Sequence, residues 1–180
     1  MTARTLALLA GLIAAACLVP LAAAHTFTIV SDERLGSFRV KTDGTLGGAT
    51  RAFGRPTLKR TSDVTCTAAW PRHALTIFFY NLGGSDPCTP RLGFFARAIM
   101  RGDHWRTSKG LRLRDPVSRL RRLYPSARFH PGTRGFWPAG WWLVPRANRF
   151  GLPGTYPGLL AETGGRRVVA FHVRYQRGGE

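Results

Sequence analysis

Cysteine, lysine and acidic residues are all scarce in this chain of 180 residues. Its three cysteines, Cys17, Cys66 and Cys88, are joined by no CxxC or HxxxH that would complete four ligands, which excludes a structural zinc site. Nine acidic residues spread along the chain leave a carboxylate pair for glycoside hydrolysis to tertiary chance. Neither HExxH nor GxSxG occurs, so the zincin and α/β-hydrolase signatures are absent. Lysine is confined to Lys41, Lys59 and Lys109.

What is there is arginine. It supplies nearly all of the net charge of +18, which implies long-range attraction to anionic surfaces: phospholipid headgroups, cell-wall polymers or nucleic acid. Arginine is also enriched together with Ala, Gly and Pro in chains from GC-rich coding sequences, so composition is a second account of the same charge. A hydrophobic content of 44% and an aromatic content of 11% suit a folded chain with a core.

The N-terminus places Arg4 before an apolar run from Leu6 to Ala24, with Pro20 inside it and small residues at Ala22 and Ala24. That is the layout of an export signal cleaved after Ala24. Retention of the segment as an N-terminal membrane anchor is the alternative, and Cys17 adds a lipoprotein variant of it. Beyond residues 1–24, Cys66 and Cys88 form an even pair, which in an exported chain reads as a disulfide. The location expected is secreted, periplasmic or otherwise extracytoplasmic.

Periodicity divides the remainder into short elements. Residues 26–40 give two apolar strands around a polar turn. Residues 42–56 give a helix, capped by Thr or Asp, with Leu46, Ala49 and Phe53 on one stripe, Gly54 as its stop and Pro56 beyond. VTCTAAW (64–70), the turn PRHA and LTIFFYNL (75–82) form a hairpin, and GFFARAIM (93–100) adds a strand. Residues 101–110 read as a polar connector. In DPVSRLRRLYP, Leu113, Val117, Leu120 and Leu123 or Tyr124 share a helical face, with Asp115 as cap and Pro116 in the first turn. Arg119, Arg121 and Arg122 fall away from that stripe, on the solvated face. SARFH and FWPAGWWLVP read as strands, then a Gly/Pro-rich loop runs to Gly158. LLAET and RRVVAFHVRY close the chain as a hairpin, with Val169, Phe171, Val173 and Tyr175 on one face and Val168, Ala170, His172 and Arg174 on the other.

SFRVKTDGTLGGATRAFGRP and GLRLRDPVSRLRRLYPSAR share a plan of strand end, polar turn, short helix and Gly or Pro stop. The fold class expected is α+β: two similar units in tandem, each a short helix packed on an antiparallel β-sheet, with the one disulfide in the first. Residues 25–108 are expected to form the first unit and 109–180 the second, with one continuous domain as the alternative. The stretch Gly44–Pro56, ending in Phe-Gly-x-Pro, resembles the helix of the outer-membrane-assembly lipoprotein family and of the tandem β-lactamase-inhibitor-protein-like repeats. The resemblance implies short helices on an antiparallel sheet and a protein-binding or assembly role without catalysis.

No catalytic constellation emerges. The pairing of Cys66 with Cys88 removes a thiol nucleophile. His73 falls in a hairpin turn and His172 on the polar face of the last strand, both expected in solvent. Trp70 and Trp105 read as core or loop anchors. The candidate binding surface is aromatic and basic: Phe136, Trp137, Trp141 and Trp142, with Arg119, Arg121 and Arg122. Adjacent tryptophans on a strand point to opposite faces, so one of Trp141 and Trp142 faces inward and the other faces solvent or a second layer. No metal or cofactor is implied. The function expected is a non-catalytic binding protein of the envelope or extracellular space with a protein partner. The alternative is a binder of cell-wall polysaccharide, anionic polymer or membrane surface through Arg and Trp; an enzyme with a site invisible in sequence is a third reading. For an exported chain, nucleic acid is the least natural partner. Intact mass of the protein recovered from the exported fraction should correspond to a chain starting at His25; a lipid-bearing mass that retains Cys17 would select the anchored alternative.

Overall fold

A computed structural model gives the fold and describes residues 26–133, 137–148 and 154–176. Residues 1–24, on which the expected export signal falls, His25 and Phe136 lie outside the described residues. In chain order the elements are β1 (Phe27–Val30), β2 (Arg34–Leu35), β3 (Phe38–Arg39), α1 (Leu46–Phe53), β4 (Leu58–Ser62), β5 (Thr65–Trp70), β6 (Leu75–Tyr80), β7 (Phe94–Met100), β8 (Trp105–Thr107), α2 (Val117–Leu123), β9 (Arg128–His130), β10 (Gly140–Ala147), β11 (Thr155–Gly164) and β12 (Arg167–Arg174). Among the described residues the chain is a mixed α+β protein of two helices and two sheets with one disulfide, Cys66–Cys88. No helix among the described residues is long and apolar enough to cross a membrane.

Helix α1 follows its sequence closely. The Thr45 hydroxyl accepts the Gly48 N–H at 3.1 Å, Leu46, Ala49 and Phe53 are buried, and Gly54 ends the helix at φ 80°. Gly47 and Gly48 cost helix propensity but have a steric reason. A Cβ on Gly48 would lie 2.0 Å from the Asp43 carbonyl oxygen, and one on Gly47 2.7 Å from that of Pro90. Glycine therefore lets the first turn pack against two loops at once.

The larger sheet has eight strands in the order β4-β5-β6-β7-β12-β11-β10-β9, and all of its pairings are antiparallel. Alternation sends Cys66, Ala68, Trp70, Leu75, Ile77 and Phe79 to one face, where they are buried with both helices and the smaller sheet. Burying each large apolar side chain there contributes about 1.5–3 kcal/mol. Strand β4, LKRTS, is exposed along its whole length; with no apolar period, nothing in its sequence marked it. Strand β11 begins at Thr155, inside the stretch expected to be loop as far as Gly158.

The smaller sheet has the order β3-β2-β1-β8, and β8 pairs parallel to β1. Residues 101–110 are therefore more than the expected polar connector. Trp105 enters the core at 0% exposure and stacks on Phe27 with ring centroids 4.8 Å apart. Its indole N–H donates to the His73 carbonyl at 2.6 Å, and His104 Nε2 reaches the same oxygen at 2.8 Å. Phe27 also meets Phe53, His73 and His104 edge-on. This aromatic hub locks β1, β8, α1 and the β5–β6 turn together, and it leaves His73 half-buried instead of in solvent. Trp70 is likewise core, its N–H donating to Gly54 O at 2.8 Å.

Helix α2 starts one turn-position later than its sequence suggests. Pro116 is the N-cap and provides no side-chain bond. Asp115 instead accepts the Arg112 N–H at 2.8 Å and pairs with Arg119 at 3.2 Å. Leu120 is fully buried and Tyr124 and Leu113 nearly so, whereas Arg121 and Arg122 are exposed. In β12 the expected alternation breaks at a bulge opposite Glu162 and Thr163, which turns Val168 into the core and leaves Val169 outside.

Two cross-links fasten the layers. Cys66–Cys88 ties β5 to the β6–β7 loop, and on the chain-entropy model closing that loop contributes about 3 kcal/mol. Asp32, in the β1–β2 turn, receives both Arg146 Nε, at 2.9 and 3.0 Å, and Arg146 Nη2, joining the small sheet to β10. Burial alone would raise the Asp32 pKa, but hydrogen bonds from Arg146 and Ser31 and the guanidinium charge hold it below its ordinary value. With this packing, Leu120→Ala should cost about 2–5 kcal/mol in thermal or denaturant melts. Replacing Arg121 and Arg122 by glutamine should change stability by no more than about 0.5 kcal/mol per site.

Candidate binding surface

The second face of the large sheet is the one the helices leave open. Two cross-strand rows define its centre. One runs Thr67, Phe78, Arg97, Arg174 across β5, β6, β7 and β12. The other runs Ile99, His172, Leu160, Trp142 across β7, β12, β11 and β10. Toward one end Tyr80 pairs with Phe94, and both are exposed, at 48% and 41%.

Arginine and aromatic rings are interleaved here. The Arg97 guanidinium lies 4.5 Å from the Phe78 ring centroid, and that of Arg174 lies 4.6 Å from the ring of Trp137. His130 stacks on Trp142 at 3.8 Å, and Trp137 meets Trp142 edge-on at 6.3 Å. Arg97 and Arg174 face each other across adjacent strands, a like-charge pairing that destabilises a sheet. Stacking on the flanking rings offsets part of that repulsion. Burial, then the nearby Arg97 charge, pushes the Arg174 pKa below its ordinary value, while Tyr80 and Tyr156 act in the opposite direction.

Deeper in the face, His172 Nε2 meets Glu162 Oε2 at 2.7 Å, and Arg101 reaches the same oxygen at 3.3 Å. The sequence placed His172 on the right face but in solvent; it is 8% exposed, because Glu162 from the partner strand of its hairpin accepts its proton-bearing nitrogen. Burial lowers its pKa, the hydrogen bond and charge of Glu162 act against that, and the charges of Arg101 and Arg97 lower it further. Near neutral pH the ring is uncharged and donates Nε2–H to the carboxylate. Its Nδ1 is buried with no hydrogen-bond partner among the described residues, as is Trp142 Nε1.

The residues singled out from sequence do not form one surface. Trp137 and Trp142 belong to the open face. Trp141 points the other way, into a groove of about 820 Å³ beside α2 that Arg121 and Arg122 also line. Arg119 is held by Asp115 and reaches the Gly110 carbonyl at 3.5 Å, so it is not on a purely solvated face. Phe136 lies outside the described residues. Sequence reading missed Arg97, Arg174, Phe78, Tyr80 and Phe94, although alternation along the strands puts each on the face opposite its buried neighbours. Among the described residues, no three of His, Cys, Asp and Glu are grouped so as to hold a metal. Neither a family model, nor a curated protein, nor a solved structure matches the chain.

The His172 shift has a definite sign. Its folded pKa lies below the ordinary 6.5, so on acidification the unfolded chain takes up the proton first. This contribution is complete above about pH 6.5 and declines as pH falls from there toward the folded value. Melting temperature followed between about pH 7.5 and pH 5 should show that step, and His172→Gln should flatten it.

Proposed function

We propose that the protein is an exported, non-catalytic binding module that receives an acidic protein surface on the open face of its eight-stranded sheet. The observation that carries this reading is the placement of exposed Tyr80 and Phe94 beside the facing arginines Arg97 and Arg174. Aromatic and arginine side chains are those most enriched among residues that dominate binding energy, and basic groups favour an acidic counterpart. The disulfide supports an oxidising, extracytoplasmic setting. A non-catalytic role is supported by the chemistry available. Both described cysteines are consumed in the disulfide, and His172 has one nitrogen on Glu162 and the other shut away from solvent.

The tandem reading belongs to the same proposal. The sheet order supports two units, because α1 is followed by β4-β5-β6-β7 and α2 by β9-β10-β11-β12, the two meanders joining last strand to last strand. In that arrangement the open face is a single surface to which both units contribute, consistent with the assembly role implied by the Gly44–Pro56 resemblance.

The test is capture from native envelope extract with purified protein, scored on one discrete partner. Tyr80→Ala with Phe94→Ala, and separately Arg97→Glu, should each reduce capture by at least about tenfold, equivalent to about 1.4 kcal/mol. Arg55→Ala, exposed beyond α1, should leave it intact. Equal capture by all of these proteins would refute the open face as the docking surface.

A further inference from the structure

The groove beside α2 is a different surface, on the opposite side of β10 from Trp142. Its floor is Trp141 and Phe129, ring centroids 6.0 Å apart and edge-on, and Phe129 is 52% exposed. Its rim carries Arg121 and Arg122 from α2, and no acidic residue lines it; Arg128 of β9 borders it but pairs with Trp142 across the strands and so belongs to the other face. Other arginines nearby are matched: Arg119 by Asp115, Arg114 by Asp103 and Arg146 by Asp32. The guanidinium groups of Arg121 and Arg122 have neither ion pair nor hydrogen bond among the described residues. Two uncompensated guanidinium groups beside an aromatic floor form a cationic trough with flat apolar ground.

We propose that this groove binds an acidic polysaccharide, with sugar rings against Trp141 and Phe129 and carboxylates on Arg121 and Arg122. The planar guanidinium matches a carboxylate in bidentate fashion, which a lysine rim would not. The aromatic faces supply apolar contact for the C–H side of a sugar ring while the polar edges stay in water. The groove has a volume of about 820 Å³ and is open to solvent. Single-stranded nucleic acid has the same two attributes, flat rings and negative charge. The disulfide favours the glycan, because it suits an oxidising compartment, where acidic surface polymers are the ordinary polyanions.

The experiment is calorimetric titration of the full chain with a galacturonate oligomer, a neutral glucan of equal length and a single-stranded oligonucleotide of equal charge. The galacturonate oligomer should bind, and weaken as salt rises from about 50 to about 200 mM, since counterions are released on association. The neutral glucan should bind at least tenfold more weakly. Arg121→Gln with Arg122→Gln should weaken galacturonate binding about tenfold with melting temperature unchanged. Phe129→Ala, at an exposed position, should weaken it without altering the salt slope. Absence of galacturonate binding, equal binding of the neutral glucan, tighter binding of the oligonucleotide, or indifference to the arginine pair would each overturn the proposal. Partner capture by the open face is independent of all these outcomes, so the two readings stand or fall separately.

Discussion

An eight-stranded antiparallel sheet with apolar cover on one side only is the constraint from which the rest of this structure follows. Two helices of eight and seven residues cannot shield such an area alone, so the four-stranded small sheet and the Trp105 hub share the task. Both helices are too short to be stable in isolation, and packing rather than propensity holds them. The opposite face is then left to polar and amphipathic side chains. On that face arginines lie flat on rings, a histidine is sheltered by a carboxylate, and Leu160 and Ala170 are buried apart from the main core.

What the sequence revealed of this arrangement depended on how local the determining interaction was. Helix α1 was legible because its cap, stripe and stop lie within ten residues, from Thr45 to Gly54. The β5–β6 hairpin was legible for the same reason. Strand β8 was not, since what makes Thr107 and Arg106 a strand is a parallel partner nearly eighty residues upstream. Strand β4 is a strand only because β5 needs a neighbour, and its own side chains carry no burial signal. The β12 bulge hides in an apparently regular alternation, because a bulge costs no change in residue type. Of the candidate surface, the division of Trp141 from Trp142 was readable from pleat alone. The separation of Arg119 from Arg121 and Arg122 required knowing that Asp115 would turn back to pair with it.

The charge divides the same way. Some arginines are fixed to acids and act as internal fasteners, the Asp32–Arg146 clamp above all. Others are spread over rings on the open face. A third group borders the groove with no counter-charge. Composition explains why arginine is abundant, but it does not explain this partition; the local supply of carboxylates does. With only nine acids, every pairing made leaves arginines elsewhere without one.

The seam between β7 and β12 has a temporal meaning. Met100 pairs with Phe171, so the centre of the sheet is closed by one of the last strands to leave the ribosome. Until then β7 presents a bare edge flanked by Phe94 and Phe95, and the chain must hold that edge against neighbouring nascent copies. Such long-range closure makes folding slow relative to the local hairpins on either side. An unpaired β7 edge is in turn the place where strand exchange between copies would begin.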